Sequence, residues 1–208
     1  GTQKERHKQV LTRLTRLRRA DLTLETKAYI AMTAGITKAL YGCHTYMVGE
    51  RYFEQLRSGI AEALLGDHHN IQSHLACMVL DKTLVDPEFW IIKQAVVAAR
   101  QFLLNAPHAT CKLFFRMAAQ NSARYNHICG PAMALGAYLA KVGWQITRDG
   151  ALHGLEHQTF HLLTSNLEDV FSALEISWME HVAMHIATRK GMRHVPPIDR
   201  HATVKVFQ

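Results

Sequence analysis

The stretch from Leu24 to Leu40, "LETKAYIAMTAGITKAL", places apolar residues around much of the circumference of a helix. A helix that is apolar on most sides has to be covered by neighbours. The flanking sequence offers two. Upstream, about Lys4 to Ala20 reads as a short helix with Val10, Leu14 and Leu17 as its apolar stripe. Downstream, about Glu50 to Leu65 carries Phe53, Leu56, Ile60 and Leu64 on one face and stops at Gly66. Asp21-Leu22-Thr23 separates the first two helices and supplies capping oxygens for the second. Residues 1–66 are therefore expected to form a compact helical bundle, with 24–40 as its most buried member.

Residues 67–208 read as a second helical region. "GDHHNIQSH" is a polar turn, followed by a short helix over Ile71 to Leu80. Asp86-Pro87 is a strong helix start, a capping residue followed by proline at the first helical position. The helix it opens should end near Asn105-Ala106-Pro107, and another should run from about His108 to Ser122. Gly130-Pro131 opens a further helix that ends at Gly143. The period then changes. Asp149-Gly150 is a turn dipeptide between strand-like runs at Trp144–Thr147 and Thr159–Leu163, which predicts a small β-hairpin or three-stranded patch near 144–163. Ser165-Asn166-Leu167-Glu168 reads as a capping box. It opens a long helix to about Lys190 with Leu167, Phe171, Leu174, Trp178 and Val182 on its face, closed by Gly191. The tail with Pro196-Pro197 is expected to be extended. The fold class is mainly α, a helical bundle followed by a helical region with a small β element.

Charge is unevenly distributed along this frame. The 208 residues carry a formal charge of +7. Up to Ala20 there are seven basic residues and one acid, Glu5, so +6 of that charge sits in the first helix. A local basic footprint fits a phosphate-binding patch, and a solvated helix face is the plain alternative. With 48% hydrophobic and 20% charged residues the composition is that of a globular chain. The four cysteines, Cys43, Cys77, Cys111 and Cys129, form no CxxC pair, which fits a reducing, intracellular compartment. No run of about 18 apolar residues exists to span a membrane, and no signal peptide is visible. A chain that begins Gly-Thr-Gln is expected to be a fragment or a processed product.

Catalytic patterns are missing. Fourteen histidines invite a metal. His181 and His185, four apart on a helix, could face one ion, but Glu180 precedes His181, which is not the order of a metalloprotease helix. His153, His157 and His161 fall on loop and strand, where a spacing of four has no meaning. No nucleophile elbow, phosphate-binding loop or dinucleotide fingerprint occurs. The aspartates are scattered at turns and helix starts, where capping explains them, and no two-metal phosphoryl-transfer site can be assembled from them. No catalytic residue, metal site or cofactor is expected in this chain.

The run Arg13-x-x-Arg16-Leu17-Arg18-Arg19, then a helix with Lys27, then "ITKALYGCHTYMVGERYFEQLRSGIAEALLG" resembles the thumb of non-LTR (LINE-type) retrotransposon reverse transcriptases. In that family a basic stretch leads into a helix ending in Tyr-Gly, and a second amphipathic helix often ends Leu-Leu-Gly. Here these are Ala39-Leu40-Tyr41-Gly42 and Ala63-Leu64-Leu65-Gly66. Many members place an acid after the Tyr-Gly-x; this chain has His44. The likeness covers about Thr12 to Gly66. Further on, Gly130-Pro131, Gly143-Trp144 and Asp199-Arg200 are similar in order to the region after the thumb in retroelement proteins of some protists, dinoflagellates in particular. The polymerase motif of the family, an aromatic residue, a variable one and two aspartates, occurs nowhere in the chain.

The resemblance implies the non-catalytic thumb and connector of an RNA-directed DNA polymerase. Its palm and fingers would lie upstream of Gly1, with Mg2+ held in that palm alone. The implied partners are an RNA–DNA hybrid or duplex nucleic acid and the upstream palm and fingers, and the implied location is the nucleus and cytoplasm. The residues expected to meet nucleic acid are Arg13, Arg16, Arg18, Arg19, Lys27 and Lys38. Two other readings remain open: a free-standing or domesticated helical nucleic-acid-binding or interaction protein, and a metal-dependent helical enzyme using His181 and His185.

Overall fold

The computed structural model of the chain describes residues 2–66, 73, 77, 86–120 and 130–188. Among these residues the fold is mainly helical, with a small three-stranded antiparallel sheet. The chain divides into two compact units, Gly1–Cys43 with Val48–Ile91, and His44–Met47 with Ile92–Gln208.

In the first unit, helix α1 spans Gln3–Arg18 and is opened by Thr2, whose side chain accepts from the Glu5 amide. Val10, Leu14 and Leu17 are its buried stripe, as the spacing predicts, with His7 buried beside them. Helix α2 starts behind Thr23, whose hydroxyl accepts from Thr26 N at 3.3 Å. It is α-helical over Leu24–Ile30, widens to a π-helix over Ala31–Ile36, and returns to α over Thr37–Ala39. Helix α3 spans Glu50–Leu65 and ends at Gly66, whose φ of 75° is open only to a residue without a Cβ penalty.

Helix α3, rather than α2, supplies the larger part of this core. Phe53, Leu56, Ile60, Ala63 and Leu64 are buried, and full burial of each large side chain is worth about 1.5–3 kcal/mol. Helix α1 packs directly on α3 at Gly59, where a Cβ would lie 3.1 Å from Leu11 Cδ2 and 3.2 Å from Leu14 Cδ1. The expectation that α2 is the most buried helix is corrected. It buries one side only, through Ala28, Ala31, Gly35, Ile36, Ala39 and Leu40, while Tyr29, Thr33 and Ala34 stay exposed. The physical reason is size. Alanine and glycine count as apolar in a periodicity but have little surface to hide.

A buried ion cluster carries this unit beyond Gly66, the end of the expected bundle. Arg57 is fully buried on the apolar face of α3. It donates to both carboxylate oxygens of Asp86, through Nε at 2.7 Å and Nη2 at 3.3 Å, and to Glu88. Its Nη1 reaches Glu50 at 3.2 Å. Asp86 and Glu88 start helix α4, Pro87–Leu104, and Asp86 Oδ1 caps it by accepting from the amides of Glu88 at 2.8 Å and Phe89 at 3.2 Å. Asp86-Pro87 is thus the helix start that the sequence announces. Burial alone would lower the Arg57 pKa, but Asp86 and Glu88 beside it raise it. Burial pushes the nearby Cys77 thiol up.

The second unit holds the remainder of α4 together with α5 (His108–Ala118), α6 (Pro131–Lys141) and α7 (Leu167–Ala187). Helices α5 and α6 meet where Gly136 passes the Ala118 carbonyl; a Cβ there would lie 2.1 Å from that oxygen. After α6 the chain forms strands β1 (Gln145–Ile146), β2 (Ala151–His153) and β3 (Thr159–His161), paired antiparallel in that order. The register pairs Ile146 with Leu152 and Leu152 with Phe160. Of the expected hairpin or three-stranded patch, the three-stranded form is the one present, and its middle strand is the one that the periodicity did not name.

Trp144 anchors this sheet. It is buried, stacks on Phe160 with ring centroids 5.8 Å apart, and donates from Nε1 to Ser177 Oγ of α7 at 2.7 Å. The capping-box reading before α7 is corrected: Asn166 is the cap and accepts from the Glu168 amide, while Ser165 Oγ accepts from the His161 amide at 2.7 Å. The β3 turn has captured the serine that the box needs. The expected helix over 71–80 lies outside the described residues except for Ser73 and Cys77, as do Cys129 and the tail from 192.

Candidate nucleic-acid interface

The basic helix shows two contrasting sides. Leu11 and Thr15 line a groove against α3 together with Arg51, Glu54, Gln55, Ser58 and Glu62. The arginines lie elsewhere. Residues three apart on a helix step back by about 60° and rise by about 4.5 Å. Arg13, Arg16 and Arg19, the last at the C-cap, therefore wind over about 120° and 9 Å of α1, Arg13 farthest from that groove and Arg19 nearest to it. All three are exposed, and no described carboxylate engages them. Lys8, also exposed, lies about 140° round the helix from Arg13, on the side of Leu11, Thr12 and Thr15. The buried stripe Val10, Leu14 and Leu17 fixes the helix on its other side, so the cations are held outward by a packed support.

The other expected contacts are differently placed. Arg18 is half-buried, and its carbonyl accepts from Lys27 Nζ at 3.2 Å. Lys27 thus sits at the carboxyl end of α1, where a cation also meets the helix dipole favourably. Lys38 is half-buried near the far end of α2. Arg13 and Arg16 lie exposed on α1 and Arg19 exposed at its C-cap, with Lys27 beside Arg18 and Lys38 near the end of α2.

One contributor was passed over. Arg6 is half-buried on α1 and holds its guanidinium over the Tyr41 ring, 5.7 Å from the centroid. It stands seven residues before Arg13, which places it on nearly the same side of the helix.

The described histidines have separate surroundings. His181 leans on the Trp178 ring at 5.5 Å, and His185 is exposed. His161 Nε2 pairs with the Asp149 carbonyl oxygen at 3.0 Å, and its Nδ1 accepts from the Leu163 amide. Among the described residues no group of three or more His, Cys, Asp or Glu is placed to hold a metal ion, and no helix is long and apolar enough to cross a membrane. Comparison with protein-family models, with curated proteins and with solved structures finds no match for the chain.

Proposed function

We propose that the chain grips the phosphate backbone of a nucleic-acid duplex or RNA–DNA hybrid, as the non-catalytic thumb and connector portion of a retrotransposon RNA-directed DNA polymerase. The observation that carries the reading is the placement of Arg13, Arg16 and Arg19, exposed on a helix whose opposite face is packed into a core. Guanidinium groups on a rigid support bind phosphate oxygens without reading sequence. An A-form hybrid, with its shallow minor groove, is recognised through shape and backbone. The resemblance of Thr12 to Gly66 to LINE-type thumbs supplies the polymerase context, and under it the catalytic aspartates and their Mg2+ belong to the upstream palm.

The test is a salt titration with a labelled RNA–DNA hybrid. Binding should be insensitive to the base sequence and should weaken steeply with salt. Replacing Arg13, Arg16 and Arg19 by Gln should reduce the log–log salt slope by about two to three units, roughly one for each lost phosphate contact. An unchanged slope would remove these arginines from the interface.

A further inference from the structure

Helix α2, which ends at Ala39, and the turn after it present a row of side chains to solvent that the core does not use. Tyr29, Thr33, Thr37 and Tyr41 recur at every fourth position, and all four are exposed. Tyr29 and Tyr41 keep 69% and 70% of their surface accessible, the two most exposed large apolar side chains of the chain's described residues. In an uninterrupted α-helix, positions twelve apart drift by about 120° and would not form a line. The π-helical turns over Ala31–Ile36 close i to i+5 and advance by less per residue, which cancels most of that drift. The widening thus brings Thr37 back toward the side of Tyr29, and Tyr41 follows in the turn just beyond the helix, roughly 15–18 Å from Tyr29.

The surroundings of the row are cationic. Arg6 lies over one face of the Tyr41 ring, and Arg13 follows it two turns on along the same side of α1. Lys38 stands next to Thr37. The threonine hydroxyls donate to carbonyls of their own helix, Thr33 to Tyr29 at 2.8 Å and Thr37 to Met32 at 3.0 Å. Their lone pairs are left as acceptors for a base N–H or a ribose hydroxyl.

We infer that this row is a binding strip for single-stranded nucleic acid, with Tyr29 and Tyr41 stacking on unpaired bases and Arg6, Arg13 and Lys38 meeting the phosphates. Exposed aromatic faces beside cations, with acceptor hydroxyls between them, match the chemistry of single-strand grooves, in which stacking tolerates any base. The strip rests on the nucleic-acid reading of the basic helix and extends it, because duplex backbone and unpaired bases are held by different residues.

The experiment measures fluorescence anisotropy of the whole chain with a labelled twelve-nucleotide single strand, as RNA and as DNA, and with a hybrid of the same length. Tyr29→Ala with Tyr41→Ala should lower single-strand affinity about five-fold or more and change hybrid affinity less than two-fold. Tyr29→Phe with Tyr41→Phe should retain single-strand binding, since the ring and not the hydroxyl stacks. Both pairs are surface changes, and a thermal melt checks that the fold persists. Unaltered single-strand affinity in the alanine pair overturns the strip while leaving the arginine face intact. Tyrosine-dependent single-strand binding, with a hybrid salt slope unaffected by the arginine replacements, supports the strip and overturns the duplex grip. Binding of neither probe overturns both.

Discussion

Arg57 and Arg16 are the same residue put to opposite uses within one helical unit. Arg57 is wholly buried and saturated by Asp86, Glu88 and Glu50. Arg16 stands on an exposed face with no described acid against it. The difference lies in helical phase. Arg57 follows Phe53 by four and precedes Ile60 by three, so it falls on the stripe that α3 buries. Arg16 falls between stripe positions of α1. A charge on the buried stripe has to be neutralised within the protein, whereas a charge off it remains available to something else.

The largest expected effect breaks the buried side of this pair. Arg57→Met should cost about 3–5 kcal/mol, because it leaves Asp86 and Glu88 buried without their cation. Adding Asp86→Asn and Glu88→Gln should recover more than half of that loss, since the amides need no counter-charge and an asparagine side chain still caps the start of α4. Denaturant melts of the single and triple variants measure both. A loss below about 1 kcal/mol for Arg57→Met would mean that water reaches the cluster, and then Arg57 differs from Arg16 only in degree.

This asymmetry also marks what a sequence can show. The stripe of α1, the Asp86-Pro87 start, the stop at Gly66 and the Asp149-Gly150 turn were legible, because each depends on residues a few positions apart. The burial of Arg57 had a local signal, a charged residue on an apolar stripe, but its buried partners lie 29 and 31 positions away. Lys27 was legible as a cation and not as the group that meets the Arg18 carbonyl. The π-helical widening of α2 had no readable signature, and the tyrosine row depends on it. The middle strand Ala151–His153 is too short to establish an alternation. Of the candidate interface, the identity of the basic residues was legible; which of them point outward had to wait for the packing of α1.

A smaller effect lies between the two arginines. His7 is buried under the same basic helix, with Nε2 paired to Gln55 Oε1 at 3.0 Å and its ring 4.0 Å from that of Tyr52. Burial holds its pKa below the ordinary 6.5, partly offset by the Gln55 bond. Burial likewise pushes the Tyr52 phenol up to about 12. Because the folded value of His7 lies below the unfolded one, the unfolded chain takes up the proton first as the pH falls. Stability should be undiminished above about 6.5 and decline from there toward the lower folded value. His7→Gln should remove that part of the pH dependence. If wild type and His7→Gln lose stability equally between neutral and mildly acid pH, His7 does not hold α1 to α3 in its neutral form.

The smallest expected effect tests the exposed side, and its smallness is the point. Replacing Arg13, Arg16 and Arg19 by Gln removes three charges from α1. Two opposing contributions follow. Like charges three apart on a helix repel, so their removal gains a few tenths of a kcal/mol per pair at low salt. Arg16 and Arg19 also stand at the carboxyl end of α1, where cations oppose the helix dipole favourably, and losing them gives up a similar amount. Arg13 lies farther from the end, so Arg13→Gln alone should leave stability unchanged or raise it slightly, and Arg19→Gln alone should lower it slightly. The triple variant should therefore melt within about 0.5 kcal/mol of the parent, as surface changes do, with the residual difference vanishing at high salt. A loss of more than about 1 kcal/mol would show that these arginines hold the fold as Arg57 does. The salt dependence of hybrid binding would then report an unfolding helix rather than lost phosphate contacts, and the grip would have to be sought elsewhere on the molecule.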